Sequence, residues 1–150
     1  MERGAGAHHV DGHCFYLTYD GRHWGFPTGD PRGDPRDTNW EGRQGARKQG
    51  DRIGMLLDLD QGSMTIWKNN EKLGVMVAEG LSGPLCWAVS MGTRLNLEEG
   101  QGVRIESVPA PASPTGEELA AAKAWQRRNV LRLPQTATDA ECDAAEQPAL

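Results

Sequence analysis

His8, His9, His13 and Cys14 are side chains of the types that ligate Zn²⁺, because neutral imidazole nitrogen and thiolate sulfur both suit that ion. A finger-like site needs a second ligand pair at short spacing, and the sequence provides none. The stretch therefore reads as a flexible, His-containing N-terminal segment of residues 1–12, with no metal. Asp58 and Asp60 offer a carboxylate pair for acid–base chemistry. Carboxylates that act together on a glycosidic bond flank it from different strands, about 5 to 9 Å apart. Two aspartates at the mouth of a hairpin instead accept hydrogen bonds from nearby backbone amides, which makes them turn-capping groups. Ser90 lacks the Gly-x-Ser-x-Gly context of a nucleophile elbow and reads as a small buried strand residue. No catalytic residue is assigned, no cofactor is implied, and the chain is not expected to be an enzyme.

The elements that must position any site lie mainly in residues 50–90. Asp60-Gln61-Gly62 and Asn69-Asn70 separate apolar runs, and both suit tight hairpins because Gly and Asn accept φ > 0. Three strands in an antiparallel meander follow. In the second, Met64 and Ile66 alternate with Ser63, Thr65 and Trp67, which predicts a half-buried strand. In the first, Ile53, Met55, Leu57 and Leu59 share one face while Leu56 lies on the other. A fourth strand is predicted over residues 85–91, where Leu85, Trp87, Val89 and Met91 alternate with Cys86, Ala88 and Ser90. Large residues on one face and small ones on the other predict packing against a second sheet.

The motifs in this block are Gly50-Asp51, Ile53-Gly54 and Leu57-Asp58, then Gly62, Ile66 and Asn69, then Leu73-Gly74, then Leu85 and Trp87-Ala88-Val89-Ser90. Together they resemble the C-terminal portion of a SPRY domain of the B30.2/SPRY family, with its pattern G-D-x-I-G-x-x-L-D, G-x-x-x-F-x-x-N, L-G and P-x-V-S. Ile66 stands where an aromatic is usual, and Trp87 where proline is common. The resemblance extends over residues 13–108, with residues 14–19 as an upstream aromatic strand and residues 27–50 as a Gly-, Pro-, Asp- and Arg-rich loop. It implies an all-β fold, an antiparallel β-sandwich that is incomplete on its N-terminal side, so a fragment of a longer polypeptide is expected.

Residues 109–150 change character. Pro109, Pro111 and Pro114 make a stiff linker. Either Ser113 is the N-cap with Pro114 at the first helical position, or Thr115 with Glu118 forms a capping box, and acidic Glu117 and Glu118 with basic Arg127 and Arg128 complement a helix dipole over residues 114–131. The apolar residues of that helix form no clean stripe. Residues 134–150 are polar and Ala-rich and read as a disordered tail.

A net charge of −5, evenly mixed, argues against a nucleic-acid partner. No apolar run approaches the roughly twenty residues that span a bilayer, so no membrane role is expected and the reading is intracellular, cytoplasmic or nuclear. The three cysteines, Cys14, Cys86 and Cys142, are odd in number and widely spaced, as reduced thiols would be. The function that follows is a non-catalytic protein–protein interaction module that recognises a peptide or partner surface through its loops. Trp24, Trp40, Trp67, Thr93 and Arg94 are its expected contact residues, because binding groups collect on loops carried by a rigid scaffold and Trp is favoured at interface centres. An association with ubiquitin ligases is implied by the resemblance alone. In the SOCS-box branch of that family an aromatic just past the P-x-V-S strand joins the peptide pocket, and residues 91–94 supply none. The alternative is a lectin-like sandwich that stacks sugar rings on Tyr19 or Trp24, with Asn39 bonding hydroxyls.

Overall fold

The computed structural model describes residues 14–25, 39–89 and 102–148. Within them the chain forms a two-stranded hairpin, a three-stranded antiparallel sheet and two helices, a small mixed fold. The hairpin pairs β1 (Cys14–Tyr16) with β2 (His23–Gly25). The sheet has the order β3 (Ile53–Asp58), β4 (Ser63–Lys68), β5 (Glu71–Val77), the meander expected from the turns.

Both turns have the anticipated chemistry. Asn69 and Asn70 adopt φ of 51° and 69°, with Lys68 paired to Glu71, so the β4–β5 loop has two residues that both lie in the left-handed region. Asp58 closes the β3–β4 loop as a turn cap: its Oδ1 accepts from the Asp60 amide at 3.0 Å and the Gln61 amide at 3.1 Å. Its Oδ2 accepts from Ser113 Oγ at 2.5 Å. These three bonds hold the Asp58 carboxylate below its ordinary pKa, with the Ser113 hydroxyl contributing most.

β4 departs from its half-buried expectation. Ser63, Met64, Thr65 and Ile66 are all buried, so both faces of the central strand are covered. On one face Met64 and Ile66 join Tyr16, Trp40, Met76, Val77 and Leu81 in the core. β5 supplies Met76 and its neighbours through two bulges. Thr65 pairs with Val75 while Met64 pairs with Val77, and Trp67 pairs with Lys72 while Ile66 pairs with Gly74. Met76 and Leu73 are thus extra residues, and Val75, Met76 and Val77 are buried in succession instead of alternating.

The other face carries Asp58, Ser63, Thr65, Trp67 and Lys72, as the pairing register requires. It meets the segment before α1 (Gly116–Val130), because Ser113 bonds Asp58 and Lys72 Nζ lies 2.5 Å from Glu118 Oε1. Pro114 is buried there. Among the described residues this face is contacted by the approach to α1 and by its first turn, and the only other sheet is the β1–β2 hairpin, so these residues form no full sandwich. The predicted fourth strand is not formed at residues 85–89: these are irregular and exposed, with Trp87 56% accessible, and Ser90 and Met91 lie outside the described residues. Alternation alone did not make a strand there, because no partner strand among the described residues supplies its hydrogen bonds.

Of the two N-caps the sequence offers, α1 uses Thr115 and not Ser113, with Thr115 and Glu118 forming a reciprocal capping box. The tail expected to be disordered folds instead. α2 (Asp139–Glu146) opens on a second capping box, Thr138 with Glu141, and buries Cys142. Arg127 ties it back to α1 through Glu146 at 2.8 Å and Asp143 at 2.6 Å. The local capping and this charged fork outweigh the low hydrophobicity on which the tail reading rested. Among the described residues no helix is long and apolar enough to cross a membrane. The three cysteines are free thiols.

Candidate functional site in the loop cleft

Residues 39–51, which run from the core toward β3, supply most of the lining of a surface cleft. Trp40 anchors this loop. It is 3% exposed and its indole Nε1 donates to the Gly21 carbonyl at 2.7 Å. The loop then follows the β1–β2 turn closely: Ala46 N donates to the Thr18 carbonyl at 2.7 Å and Arg43 Nε to the Asp20 carbonyl at 3.0 Å. Tyr16 Oη donates to the Gln44 carbonyl from beneath. Gly21 permits this approach. Its φ is +75°, and a Cβ there would collide with the Gln44 backbone.

The sheet closes the other side. Lys68 Nζ donates to the Gly45 carbonyl at 2.8 Å. Asp51 is fixed by the Lys48 amide at 3.0 Å and by Asn69 Nδ2 at 3.0 Å, and the Asn69 side chain also accepts from the Arg52 amide at 2.9 Å. The Asn69 bond leads the causes that keep the Asp51 carboxylate below its ordinary pKa, so it is ionised at neutral pH. Turn, loop and sheet thereby border an open cleft of about 380 Å³, lined by Tyr19, Asp20, Arg43, Gln44, Gly45, Arg47, Lys48, Asp51 and Lys68. That volume lies at the small end of the range for ligand pockets.

Tyr19 is 67% exposed at the rim of this cleft. The Arg47 guanidinium lies over its ring, 3.7 Å from the centroid, and Arg47 Nε donates to the Tyr19 carbonyl. This arrangement holds a guanidinium and a phenol side by side at the surface. Four cationic side chains line the cleft against two carboxylates, a local excess of positive charge in a chain of net charge −5.

The expected contact set is not gathered here. Trp40 is a core residue that positions the loop from below and has almost no surface to offer a partner. Trp67 is half-buried, adjacent in β4 to Lys68, and so points to the opposite face of the sheet, where Lys72 Nζ lies 5.9 Å from its ring. Trp24 lies in β2 opposite Phe15. Thr93 and Arg94 lie outside the described residues. Of the residues considered for carbohydrate binding, Tyr19 reaches the cleft, whereas Asn39 Oδ1 accepts from Arg43 Nη1 at 3.4 Å.

The cleft cations Arg43, Arg47, Lys48 and Lys68 were not singled out by sequence. A signal existed: Arg43, Arg47 and Lys48 recur within six residues of the Gly-rich loop immediately before the Gly50-Asp51 motif. Their convergence with Lys68 depends on the pairing of distant segments. Among the described residues no group of three or more His, Cys, Asp or Glu side chains could hold a metal ion. Comparison of the chain with protein-family models, with curated proteins and with solved structures returns no match.

Proposed function

We propose that this chain is a non-catalytic protein–protein interaction module that recognises a peptide segment through the cleft between the β1–β2 turn and residues 39–51. The observation that carries the reading is the construction of that cleft. Three segments distant in sequence are locked by backbone-directed hydrogen bonds around an open, polar space beside an exposed aromatic residue. Rigid scaffolds with loop-borne polar groups and a surface Tyr are suited to binding a short segment at low entropic cost.

The Gly50-Asp51 and Asn69 motifs that resemble the SPRY pattern occupy structural positions beside this cleft, with Asp51 and Asn69 bonded to each other. Under this reading the sheet is the C-terminal part of a SPRY-like sandwich, and its motif residues Asp51 and Asn69 serve to set the loop. Asp58, one of the two aspartates weighed for acid–base chemistry, accepts hydrogen bonds from the turn amides and from Ser113. A sugar-stacking role for Tyr19 is less well supported, because Arg47 occupies one face of its ring.

Panning a random peptide library against the immobilised full chain tests the proposal. Enrichment of peptides that the soluble chain competes away, and that bind Tyr19→Ala less well, is expected. Absence of any competed enrichment contradicts it, and so does binding indifferent to Tyr19→Ala in a protein of unchanged thermal melting.

A further inference from the structure

The cations of the cleft are unequally committed. Asp20 is shared between Arg22, at 2.6 Å, and Arg43, at 3.4 Å. Asp51 accepts from the Lys48 amide and the Asn69 side chain, and the charges of Lys68 and Lys48 act on it from beyond ion-pair distance. Among the described residues no carboxylate lies within ion-pair distance of Arg47, Lys48 or Lys68. Arg47 uses Nε on the Tyr19 carbonyl, which leaves its two terminal nitrogens as donors. Lys68 gives one N–H to the Gly45 carbonyl and keeps two. Lys48 is exposed, and its ammonium makes no hydrogen bond among the described residues.

Elsewhere among the described residues the pairing is mixed, and Arg52, Arg128 and Arg132 have no carboxylate within ion-pair distance. Lys72, Lys123 and Arg127 each have a carboxylate within 2.8 Å. What sets Arg47, Lys48 and Lys68 apart is that all three line one cleft and, among the described residues, have no carboxylate within ion-pair distance, Asp51 acting on the two lysines only from farther off, so their remaining donors are open to an added anion. Guanidinium and ammonium donors both match a carboxylate or a phosphate oxyanion, the guanidinium by its fork and the ammonium as a point charge.

We infer that the cleft selects peptides bearing an oxyanionic side chain, a carboxylate or a phosphate, held by Arg47, Lys48 and Lys68 with Tyr19 packing against the adjoining residue. This rests on the peptide-recognition reading and gives it a ligand chemistry. Asp20 and Asp51 remain on the cleft wall, so the site admits a localised anion and repels a long acidic run.

The peptides enriched on the full chain provide the test. The inference expects Asp or Glu in them, and affinity for the enriched peptide that falls about tenfold in the double variant R47Q/K48Q, as removal of two exposed charge contacts implies. It also expects affinity to weaken as salt is raised from about 0.05 to about 0.5 M. R104Q removes a charge away from the cleft and should leave affinity unchanged. Replacing the key acidic residue of the peptide by phosphoserine or by Gln separates the sources: tighter binding of phosphoserine assigns phosphate, tighter binding of the original acid assigns a carboxylate, and both support the inference. Equal binding of the Gln peptide overturns it. Enriched peptides that lack acidic residues and bind R47Q/K48Q normally also overturn it, while leaving the interaction module intact; no enrichment at all overturns both. Unchanged thermal melting of R47Q/K48Q and R104Q shows that the comparison reports binding rather than folding.

Discussion

Trp40 shows how a residue can matter to a surface without being on it. Its sequence context, a lone aromatic in a Gly- and Arg-rich loop, suggested a contact residue. Burial and the bond from Nε1 to the Gly21 carbonyl make it the peg that holds the loop against the β1–β2 turn. Trp40→Phe keeps the apolar ring but leaves that carbonyl without its donor, which should cost about 1–3 kcal/mol of stability. Denaturant unfolding checks this, and the same variant should weaken peptide capture because the cleft wall loosens. Unchanged unfolding would mean that the indole N–H is dispensable to the loop. The residues that do face the cleft, Arg47 and Lys48, were hidden in the sequence because exposed basic residues in a loop look alike until their neighbours are known. Asp58 was legible for the opposite reason: its partners, the amides of Asp60 and Gln61, are local.

At the level of elements, the same distinction between local and distant causes decides what could be read. The Asn69-Asn70 turn, the β3–β4–β5 order and the Thr115 cap are specified by adjacent residues, and each forms as expected. The segment 85–89 needs a distant strand to pair with, and the polar, Ala-rich composition of residues 134–150 hides an α2 that its Thr138–Glu141 capping box specifies locally. Gly74 belongs here too. A valine at this position would meet no opposing layer, since no atom lies within 4 Å of where its Cβ would be, but φ of +132° makes the site costly for any L side chain. β4 gives the clearest quantitative expectation. Ile66 is fully buried at the centre of the sheet, so Ile66→Ala should destabilise by about 2–5 kcal/mol. Leu59→Ala, half exposed in the preceding turn, should fall within about 0.5 kcal/mol of the parent protein. Thermal or denaturant melts of the two variants compare them directly; equal losses would contradict the placement of the core.

Across the whole molecule, one sheet separates two kinds of surface. On one side the β1–β2 hairpin and residues 39–51 share the apolar core and carry the cleft; on the other, Ser113 bonds Asp58 and Glu118 of α1 pairs with Lys72, with α2 fastened by Arg127. This division explains why Trp67 and the cleft residues cannot belong to a single contact patch, although Trp67 and Lys68 are consecutive in sequence. It also states what the account depends on: that the rigid junction of turn, loop and sheet is where a partner docks. Amide chemical-shift mapping of the full chain with a library-enriched peptide tests this most directly. The expected result is a continuous set of perturbed amides at Tyr19, Asp20, Gln44, Gly45, Arg47, Lys48, Asp51 and Lys68. Saturable shifts confined to α1, α2 or residues 85–89, with the cleft silent, would contradict it.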